Sequence, residues 1–201
     1  VEGVKEKCPH VKEYISLQHG KHVPCSDNIL KEYAGQAVTP QVSPEDLAMI
    51  LFTSGTTGRG KGVMLSNGNL IDNTFCTTDT DHPEREVYLN VLPIHHVFCI
   101  NGDVLIVMRY GGTLCLNRDM AKLAAHIQLF QPSVIRMVPM IAKTLYNRIA
   151  IMSRQTGQPV GKVRSQVLGK QLHKIISGGG YLAPDLAENY RNLGISIAQG
   201  Y

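Results

Sequence analysis

The sequence has no long apolar run, no closely spaced pair of cysteines and no strong net charge. Apolar runs such as Val104 to Met108 are far too short to cross a membrane as a helix, and we expect no secretory signal in the first residues given. The net charge of +4 is small, and the Lys and Arg residues are scattered, which argues against a nucleic-acid partner. Five widely spaced cysteines without a CxxC pair favour reduced thiols in a cytoplasmic protein over a disulfide framework.

The composition is that of a folded protein rather than a disordered one. The 201 residues are 43% hydrophobic and 18% charged, which is enough apolar material for a buried core. This length suits one domain, or one large piece of a bigger domain. The sequence therefore predicts a globular unit with a reduced, apolar interior.

A glycine-rich segment between two apolar runs is the most informative stretch of the chain. The runs are residues 47–52 and 63–65, and we interpret them as two strands joined by a loop. We call this loop the glycine-rich loop: Thr53-Ser54-Gly55-Thr56-Thr57-Gly58-Arg59-Gly60-Lys61. Its glycines let backbone N–H groups turn towards one point, while hydroxyls and Lys61 add further donors. These groups favour a bound polyphosphate; the alternative is a mobile, polar surface hairpin in which Arg59 is a solvated charge.

The loop satisfies most of the Walker pattern for a P-loop kinase or ATPase but fails at two points. The pattern requires Ser or Thr after Gly-Lys to hold Mg²⁺, and this chain has Gly62 there. A Walker loop also opens directly into a helix, whereas Gly62-Val63-Met64-Leu65 is typical of a strand. Both departures argue against a P-loop phosphotransferase, which we keep as an alternative.

Beyond the loop, strand-like and helical segments alternate, which predicts an α/β fold with a mainly parallel sheet covered by helices on both faces. Residues 1–44 form a lead-in segment, with Asp27 as a candidate cap for a short helix. Residues 153–169 are polar and Gly-rich, and we expect a flexible link there. Ligands of such sheets bind beyond the carboxyl ends of the strands. Four informative segments follow predicted strands: Pro93-Ile94-His95-His96, Pro139-Met140, Ser177-Gly178-Gly179-Gly180 and Gln199-Gly200-Tyr201.

These segments resemble the signatures of the adenylate-forming (AMP-binding) superfamily, which includes acyl-CoA synthetases, luciferases and peptide-synthetase adenylation domains. The glycine-rich loop resembles its phosphate loop, although the family usually has Pro where this chain has Gly60. Four further segments resemble other motifs of this superfamily. Leu92-Pro93-Ile94-His95-His96-Val97-Phe98 resembles its acyl-pocket segment, and Val138-Pro139-Met140 resembles its Val-Pro segment. Ser177-Gly178-Gly179 resembles its small-residue turn beside the adenine, and Gln199-Gly200-Tyr201 resembles the start of its Gly-x-Thr-Glu motif. The resemblance covers residues 45–201 and implies the large-domain fold of this superfamily, with the AMP-binding core in those residues.

The resemblance also implies an activity. Such enzymes join a carboxylate to AMP with release of pyrophosphate, and then pass the acyl group to a thiol, here that of coenzyme A. ATP, Mg²⁺ and coenzyme A are the implied cofactors. The resemblance assigns the β- and γ-phosphates of ATP to Thr53, Ser54, Gly55, Thr56, Thr57, Gly58 and Lys61. It assigns the adenine to Gly178, Gly179, Gln199, Gly200 and Tyr201. It assigns the acyl pocket to His96, Val97, Val138 and Pro139, with His96 as the catalytic residue beside the carboxylate.

The class of acid that we expect as substrate depends on whether the acyl-pocket segment contains an acidic residue. Members that activate amino acids place an Asp near this segment, and the stretch from Pro93 to Phe98 has no acidic residue. A simple carboxylic acid, and in particular a fatty acid, fits better. An amino-acid or aryl-acid adenylation enzyme and a non-catalytic nucleotide-binding module stay open as alternatives. No transmembrane segment is expected, and peripheral membrane contact of a longer parent protein is compatible with the sequence.

Two nearby groups have plainer interpretations. His95, His96 and Cys99 could suggest a metal site, but no fourth ligand is evident and we expect none. Asp103 is expected to be a turn or cap residue rather than a base.

By the resemblance, the Mg²⁺-binding acid, the ribose-binding Asp and the C-terminal domain with the catalytic Lys lie beyond Tyr201. We therefore expect the chain to be an internal part of a synthetase and inactive by itself.

Overall fold

The computed structural model describes residues 6–16, 24–37, 39–53, 60–76 and 85–200, which fall into two compact units. The first unit is Val1–Val42. Its described part contains helix α1 (Ser26–Glu32) and an isolated bridge between Ser16 and Cys25. Asp27 lies in the first turn of α1 rather than at its N-cap, where its carboxylate still faces the positive end of the helix dipole. The second unit, Ser43–Tyr201, contains all the other elements that the structure describes.

The second unit begins with the predicted hairpin. Strands β1 (Leu47–Thr53) and β2 (Lys61–Ser66) are antiparallel, with Thr53 opposite Lys61. Helix α2 (Asn67–Cys76) follows directly. The hydroxyl of Ser66 accepts a hydrogen bond from the backbone N–H of Asn69 at 3.2 Å, which satisfies a donor in the first turn of α2. The glycine-rich loop is therefore followed by a strand, as predicted, and not by the helix that follows a Walker loop.

The main sheet has five parallel strands in the order β4-β3-β5-β6-β7. These strands are β3 (Val87–Asn90), β4 (Thr113–Leu116), β5 (Val134–Met137), β6 (Lys174–Ser177) and β7 (Ser196–Gln199). Strand β5 lies at the centre and is buried along its whole length, as expected for a parallel strand covered on both faces. The predicted α/β fold with a parallel sheet is confirmed.

The helices that connect these strands cover both faces of the sheet. They are α3 (Val97–Cys99), a π-helical segment (Ile100–Leu105), α4 (Ile106–Tyr110), a short 3₁₀ turn (Met120–Lys122), α5 (Leu123–Phe130), α6 (Pro139–Thr156), α7 (Val160–Leu168) and α8 (Pro184–Asn192). Leu89, Ile135 and Ile175 face one side and form the larger core with α5 to α8. Tyr88 and Val134 face the other side and pack against α4. The alternation follows from the two-residue period of a strand.

The predicted flexible link at residues 153–169 is wrong. Helix α6 extends to Thr156, and α7 occupies Val160–Leu168 after a short connection. Gly157 ends α6 in the left-handed conformation, with φ of 66°. Val163 and Val167 are one helical turn apart and both are buried in the larger core. The burial of these two valines therefore stabilises a helix in this segment, although most of its residues are polar or glycine.

Residues 97–110 form one continuous helical run with a π-helical segment in its middle. The sequence indicated only that this stretch is apolar. A π-helical turn holds more residues than an α-helical turn and changes the direction of the side chains that follow it. Gly102 and Asp103 lie in the π-helical segment and are buried. No helix in the described part of the chain is long and apolar enough to cross a bilayer.

The two faces of α6 give a direct test of the larger core. Ile149 is 1% exposed, whereas Ile151, on the opposite side of the helix, is 53% exposed. We predict that Ile149→Ala lowers the free energy of unfolding by about 2–5 kcal/mol, because it leaves a cavity in a packed core. Ile151→Ala should change it by less than about 0.5 kcal/mol. Urea unfolding of both variants checks this, and equal losses would contradict the assigned helix face.

Candidate active site

One large cavity, with a volume of about 1200 Å³, lies along one face of the sheet and extends from the carboxyl ends of the strands to the amino ends of β6 and β7. Residues that follow β3, β5, β6 and β7 contribute to its wall, as expected for the ligand site of such a sheet. Residues of α2, of the 97–110 helical run and of the sheet itself complete it. The wall is mixed polar and apolar, and it is formed by Asn73, Cys76, Leu92, Pro93, His96, Val97, Phe98, Asn101, Gly102, Ile106, Arg136, Val138, His173, Lys174, Ile176, Gly178, Gly179, Ser196, Ala198, Gln199 and Gly200.

His96 lies at the point where β3 gives way to the 97–110 helical run. It is the N-cap of α3, and its Nδ1 accepts a hydrogen bond from the backbone N–H of Phe98 at 3.2 Å. Because Nδ1 is the acceptor, the proton of the neutral ring lies on Nε2. Nε2 has no hydrogen-bond partner among the described residues. His96 can therefore donate from Nε2 to an oxygen atom in the cavity.

The glycines after β6 and β7 make room for the ring of Phe98. A Cβ atom on Gly178 would lie 2.6 Å from that ring, and one on Gly200 would lie 3.3 Å from it. The backbone N–H of Gly200 donates to the carbonyl of Ser177 at 2.7 Å, which continues the pairing of the two strands. Gly179 has φ of 71°, in the region that favours glycine. Two strand ends and an aromatic ring thus meet at one edge of the cavity.

The structure brings seven of the predicted site residues to this cavity: His96, Val97, Val138, Gly178, Gly179, Gln199 and Gly200. Pro139 is outside the wall, although the resemblance assigns it to the acyl pocket, and it begins α6. His95 is also outside the wall, although it neighbours His96 in sequence. These segments follow neighbouring strands of the parallel sheet, and this property places them together.

The structure describes only the ends of the glycine-rich loop, and Tyr201, which the resemblance assigns to the adenine, is outside the described residues. Thr53 and Lys61 are exposed and form the last pair of the hairpin ladder. Ser54, Gly55, Thr56, Thr57 and Gly58 lie outside the described residues, and so does Tyr201. Their assignment to phosphate and adenine stays a prediction.

A buried ion pair on the cavity side of the sheet was missed in the sequence. Arg136 Nη1 donates to Asp103 Oδ1 at 2.8 Å, and the two side chains are 3% and 1% exposed. Asn90 Nδ2 donates to Asp103 Oδ2 at 2.8 Å. Asp103 is therefore a buried partner in a helix rather than the expected turn or cap residue. The sequence does contain a signal for this pair, which is the cation Arg136 within the otherwise apolar strand Val134–Met137. A charged side chain buried in a strand needs a partner of opposite charge.

Burial controls the acidity of the groups around this pair. Burial raises the pKa of Asp103, while the charge of Arg136 and the hydrogen bonds from Asn90 and Arg136 oppose the rise. The pKa of the nearby Cys99 thiol is raised to about 11, first by burial and then by the charge of Asp103. Cys99 is consequently a protonated, unreactive thiol at neutral pH.

The described residues offer no metal site of their own. Within residues 6–16, 24–37, 39–53, 60–76 and 85–200, no three His, Cys, Asp or Glu side chains are grouped so that they could hold a metal ion. A structural or catalytic zinc site, for instance, needs three or four such ligands together. His95, His96 and Cys99 do not form such a group.

Comparisons with known proteins identify the family. The sequence profile described as AMP-binding enzyme matches residues 2–201. A long-chain-fatty-acid–CoA ligase of Escherichia coli O6:H1 is 28% identical over 200 residues, which are 96% of this chain and 32% of the relative. A 4-coumarate–CoA ligase-like protein of Arabidopsis thaliana is 33% identical over 122 residues, or 59% of this chain and 22% of the relative. The chain therefore belongs to the AMP-binding enzyme family.

A solved structure supports the same fold. The adenylation domain of a carboxylate reductase from Mycobacterium chelonae superposes with a TM-score of 0.75 at 20% identity, covering all of this chain and 32% of that one. The fold therefore agrees with the AMP-binding enzyme family that the sequence profile identifies. The chain spans between about a fifth and a third of the two curated relatives described above.

The close approach of Gly178 to Phe98 can be tested by a double-mutant cycle. We predict that Gly178→Ala costs about 1–3 kcal/mol of unfolding free energy, because the new methyl group overpacks against the ring. In a Phe98→Leu background the same change should cost clearly less, since the smaller side chain leaves space. Gly161→Ala is the control, because no atom lies within 4 Å of its added Cβ. Equal costs of Gly178→Ala in both backgrounds would contradict the contact.

Cysteine labelling tests the burial of Cys99. Cys76 is exposed on α2, whereas Cys99 is buried and has a pKa of about 11. At pH 8 only about one Cys99 in a thousand is a thiolate, and the thiolate is the reactive form. We predict that iodoacetamide alkylates Cys76 at least about a hundredfold faster than Cys99 in the folded protein, as measured by mass spectrometry of their peptides. Similar rates before unfolding would show that Cys99 is accessible.

Proposed function

We propose that the whole protein to which this chain belongs activates a carboxylic acid with ATP and then transfers the acyl group to coenzyme A. A carboxylate oxygen attacks the α-phosphorus of ATP, the bond to the β-phosphate breaks, and pyrophosphate leaves. The thiol sulfur of coenzyme A then bonds to the acyl carbon, the C–O bond to AMP breaks, and the thiol proton passes to water or a base. The first step gives the carboxyl carbon the good leaving group that a free carboxylate lacks.

The single observation that carries this proposal is the shared cavity at the carboxyl ends of four neighbouring strands. The pocket segment, the Val-Pro segment, the glycine turn and the Gln199-Gly200 segment all reach its wall or its edge. A two-substrate reaction needs its reactants held side by side, and fixing them in one site supplies much of the rate enhancement. The volume of about 1200 Å³ is large enough for a nucleotide together with an acyl group.

The residues of this chain would bind different parts of the two substrates. His96 would donate from Nε2 to the substrate carboxylate or to an oxygen on the α-phosphorus, because its Nδ1 is already engaged by Phe98. The backbone groups of Gly178, Gly179 and Gly200 would lie beside the adenine at the edge of the cavity. Lys61 and the hydroxyls and amides of the glycine-rich loop would hold the β- and γ-phosphates.

Mg²⁺ is the usual companion of ATP in phosphoryl and nucleotidyl transfer, where it neutralises the phosphate charge. The described residues contain no acidic cluster that fits it. We therefore assign none of the described residues to the metal.

For the acid, we propose a molecule with a mainly apolar body, such as a fatty acid. Val97, Phe98 and Ile106 form an apolar side of the cavity along the 97–110 helical run, and Ile176 and Ala198 face them from the sheet. No Asp or Glu is part of the cavity wall formed by the described residues. An amino acid would bring its ammonium group into the cavity without a carboxylate partner, which is costly. Amino-acid activation is therefore the less favoured alternative.

Exchange of pyrophosphate into ATP tests the proposal, because only reversible adenylation makes it depend on the acid. We predict that the whole protein catalyses acid-dependent exchange and that His96→Ala reduces it by about 10²–10³-fold, the usual effect of removing a donor to developing charge. His96→Asn should retain the cap on Phe98 but still lose most of the activity.

His95→Ala is the matched control for this experiment, because His95 is adjacent in sequence and outside the cavity wall. It should reduce exchange by less than about threefold. Equal losses in the His95 and His96 variants would contradict the assigned role of His96. Formation of ADP instead of AMP and pyrophosphate would refute adenylation and favour a phosphotransferase.

A further inference from the structure

The acidic residues of this chain are distributed far less evenly than the basic ones. Residues 120–184 contain nine Lys and Arg residues and no Asp or Glu. The remaining residues carry all 16 acidic side chains and 11 basic ones. The small net charge of +4 therefore combines a strongly basic segment with an acidic remainder.

The basic segment includes α5, α6 and α7, which cover one face of the main sheet and bury their inner sides in the larger core. Gln128 of α5 donates a hydrogen bond to the carbonyl of Gln166 of α7 at 2.7 Å. Ser153 of α6 donates to the carbonyl of Gln158, just before α7, at 2.8 Å. The three helices pack side by side, so their solvent sides form one outer surface.

We call the part of this surface on α6 and α7 the basic surface. It combines exposed cations with exposed apolar side chains, namely Lys143, Arg148, Arg154, Lys162, Met140, Ile151 and Val160. The three apolar side chains are 74%, 53% and 46% exposed, in the order Met140, Ile151, Val160.

The side chains of α6 are ordered around the helix axis. At about 100° of rotation per residue, Met140 and Ile151 lie within about 20° of each other, on the middle line of the exposed side. Lys143 and Arg154 lie about 40–80° to one side of this line, and Arg148 lies about 60–80° to the other side. Apolar residues flanked by cations on both sides are the pattern of a helix that lies in a lipid–water interface.

The chain itself supplies no visible counter-charge to this surface. Among the residues that the structure describes, none forms an ion pair with Lys143, Arg148, Arg154 or Lys162. The surface is bounded by α8, which carries Asp185 and Glu188 and whose Tyr190 hydroxyl donates to the carbonyl of Ala142 on α6 at 2.7 Å. An anionic partner would provide the negative charge that is missing between these limits.

The shape and chemistry of the basic surface favour a bilayer over a nucleic acid. Met140 and Arg154 are about 21 Å apart along α6, at about 1.5 Å per residue, so the charges are spread over an extended area. Nucleic-acid surfaces usually add aromatic side chains that stack on bases, and the exposed side of α6 has none. A phosphate backbone also offers no apolar layer that could receive Ile151, whereas a bilayer does.

We propose that the basic surface docks on an anionic lipid bilayer. Lys143, Arg148, Arg154 and Lys162 contact the lipid phosphates, and their aliphatic stems lie along the interface. Met140, Ile151 and Val160 enter the boundary between headgroups and acyl chains. This inference goes beyond the proposed ligase function and does not depend on it, because the docking involves neither ATP nor an acid.

The test is sedimentation of the whole protein with lipid vesicles. One set of vesicles is phosphatidylcholine alone, and the other contains phosphatidylglycerol as well. We expect the partition coefficient to be at least about tenfold higher for the anionic vesicles. Most of this difference should disappear in molar salt, because salt screens the charges at the surface.

Variants connect the binding to the basic surface. Arg148→Gln combined with Arg154→Gln should weaken binding to anionic vesicles by about 20–30-fold, since each cation near such a surface contributes about fivefold. Arg85→Gln combined with Arg118→Gln is the matched control, because it removes the same charge from exposed positions at the ends of the main sheet. It should bind within about threefold of the wild type.

The apolar contact has its own pair of variants. Ile151→Ser should weaken binding by at least about threefold without changing the charge, since it removes apolar area that the bilayer would bury. Met108→Ser is the control, because Met108 is 73% exposed on α4, which covers the other face of the sheet. Thermal unfolding of every variant shows whether it is folded, and all five substituted side chains outside the control at 108 and the one at 151 are exposed cations that no described residue pairs.

The outcomes are distinct from those that test the ligase. Equal binding to both kinds of vesicle, or binding to neither, overturns the inference, and so do equal losses in the two double-arginine variants. Wild-type binding by folded Ile151→Ser shows a purely ionic contact and overturns the bilayer in favour of an acidic protein. Tighter binding to duplex DNA than to anionic vesicles, lost in the Arg148 and Arg154 variant, overturns it in favour of a nucleic acid. Absence of pyrophosphate exchange refutes the ligase function and leaves vesicle binding as the separate test of this surface.

Discussion

The parallel hydrogen-bonded register of the main sheet determines where every candidate ligand-binding group lies. Asn90, Arg136, Ile176 and Ala198 are partners across β3, β5, β6 and β7, so the strands end at the same level. Each strand then leads into a turn or helix at one common edge. Because the strand ends coincide, segments that are far apart in sequence meet around a single cavity. A one-residue slip of β5 would turn Arg136 away from the cavity and would bring an apolar residue in its place.

The two faces of this sheet have different roles. The face covered by α5 to α8 is apolar and holds most of the buried hydrophobic residues, so it provides the stability of the unit. The face towards the 97–110 helical run holds a smaller apolar cluster beside a buried ion pair and the cavity. Burying charges is costly, and a pair with satisfied hydrogen bonds seldom adds net stability.

The sequence predicted the parts of the fold that follow from local periodicity and strand order. The hairpin and the parallel sheet were correct, because apolar runs on either side of a glycine-rich loop and the alternation of strands with helices have direct structural consequences. Helix α7 was missed because its buried residues are only Val163, Val167 and Leu168, and they act through tertiary burial. The Asp103–Arg136 pair was missed for a related reason: its members are 33 residues apart and meet only when β5 packs against the π-helical segment. The phosphate loop and Tyr201 stay predictions from the family resemblance.

The central claim is that this cavity is where a carboxylate attacks the α-phosphorus of ATP. The most direct measurement is transfer of oxygen from the acid: the whole protein is given an acid labelled with ¹⁸O in both carboxylate oxygens, together with ATP and coenzyme A. The account predicts that the AMP released contains one labelled oxygen on its phosphorus, because that oxygen forms the bond between acid and phosphate. Label in inorganic phosphate with ADP as the nucleotide product, or unlabelled AMP, would contradict it.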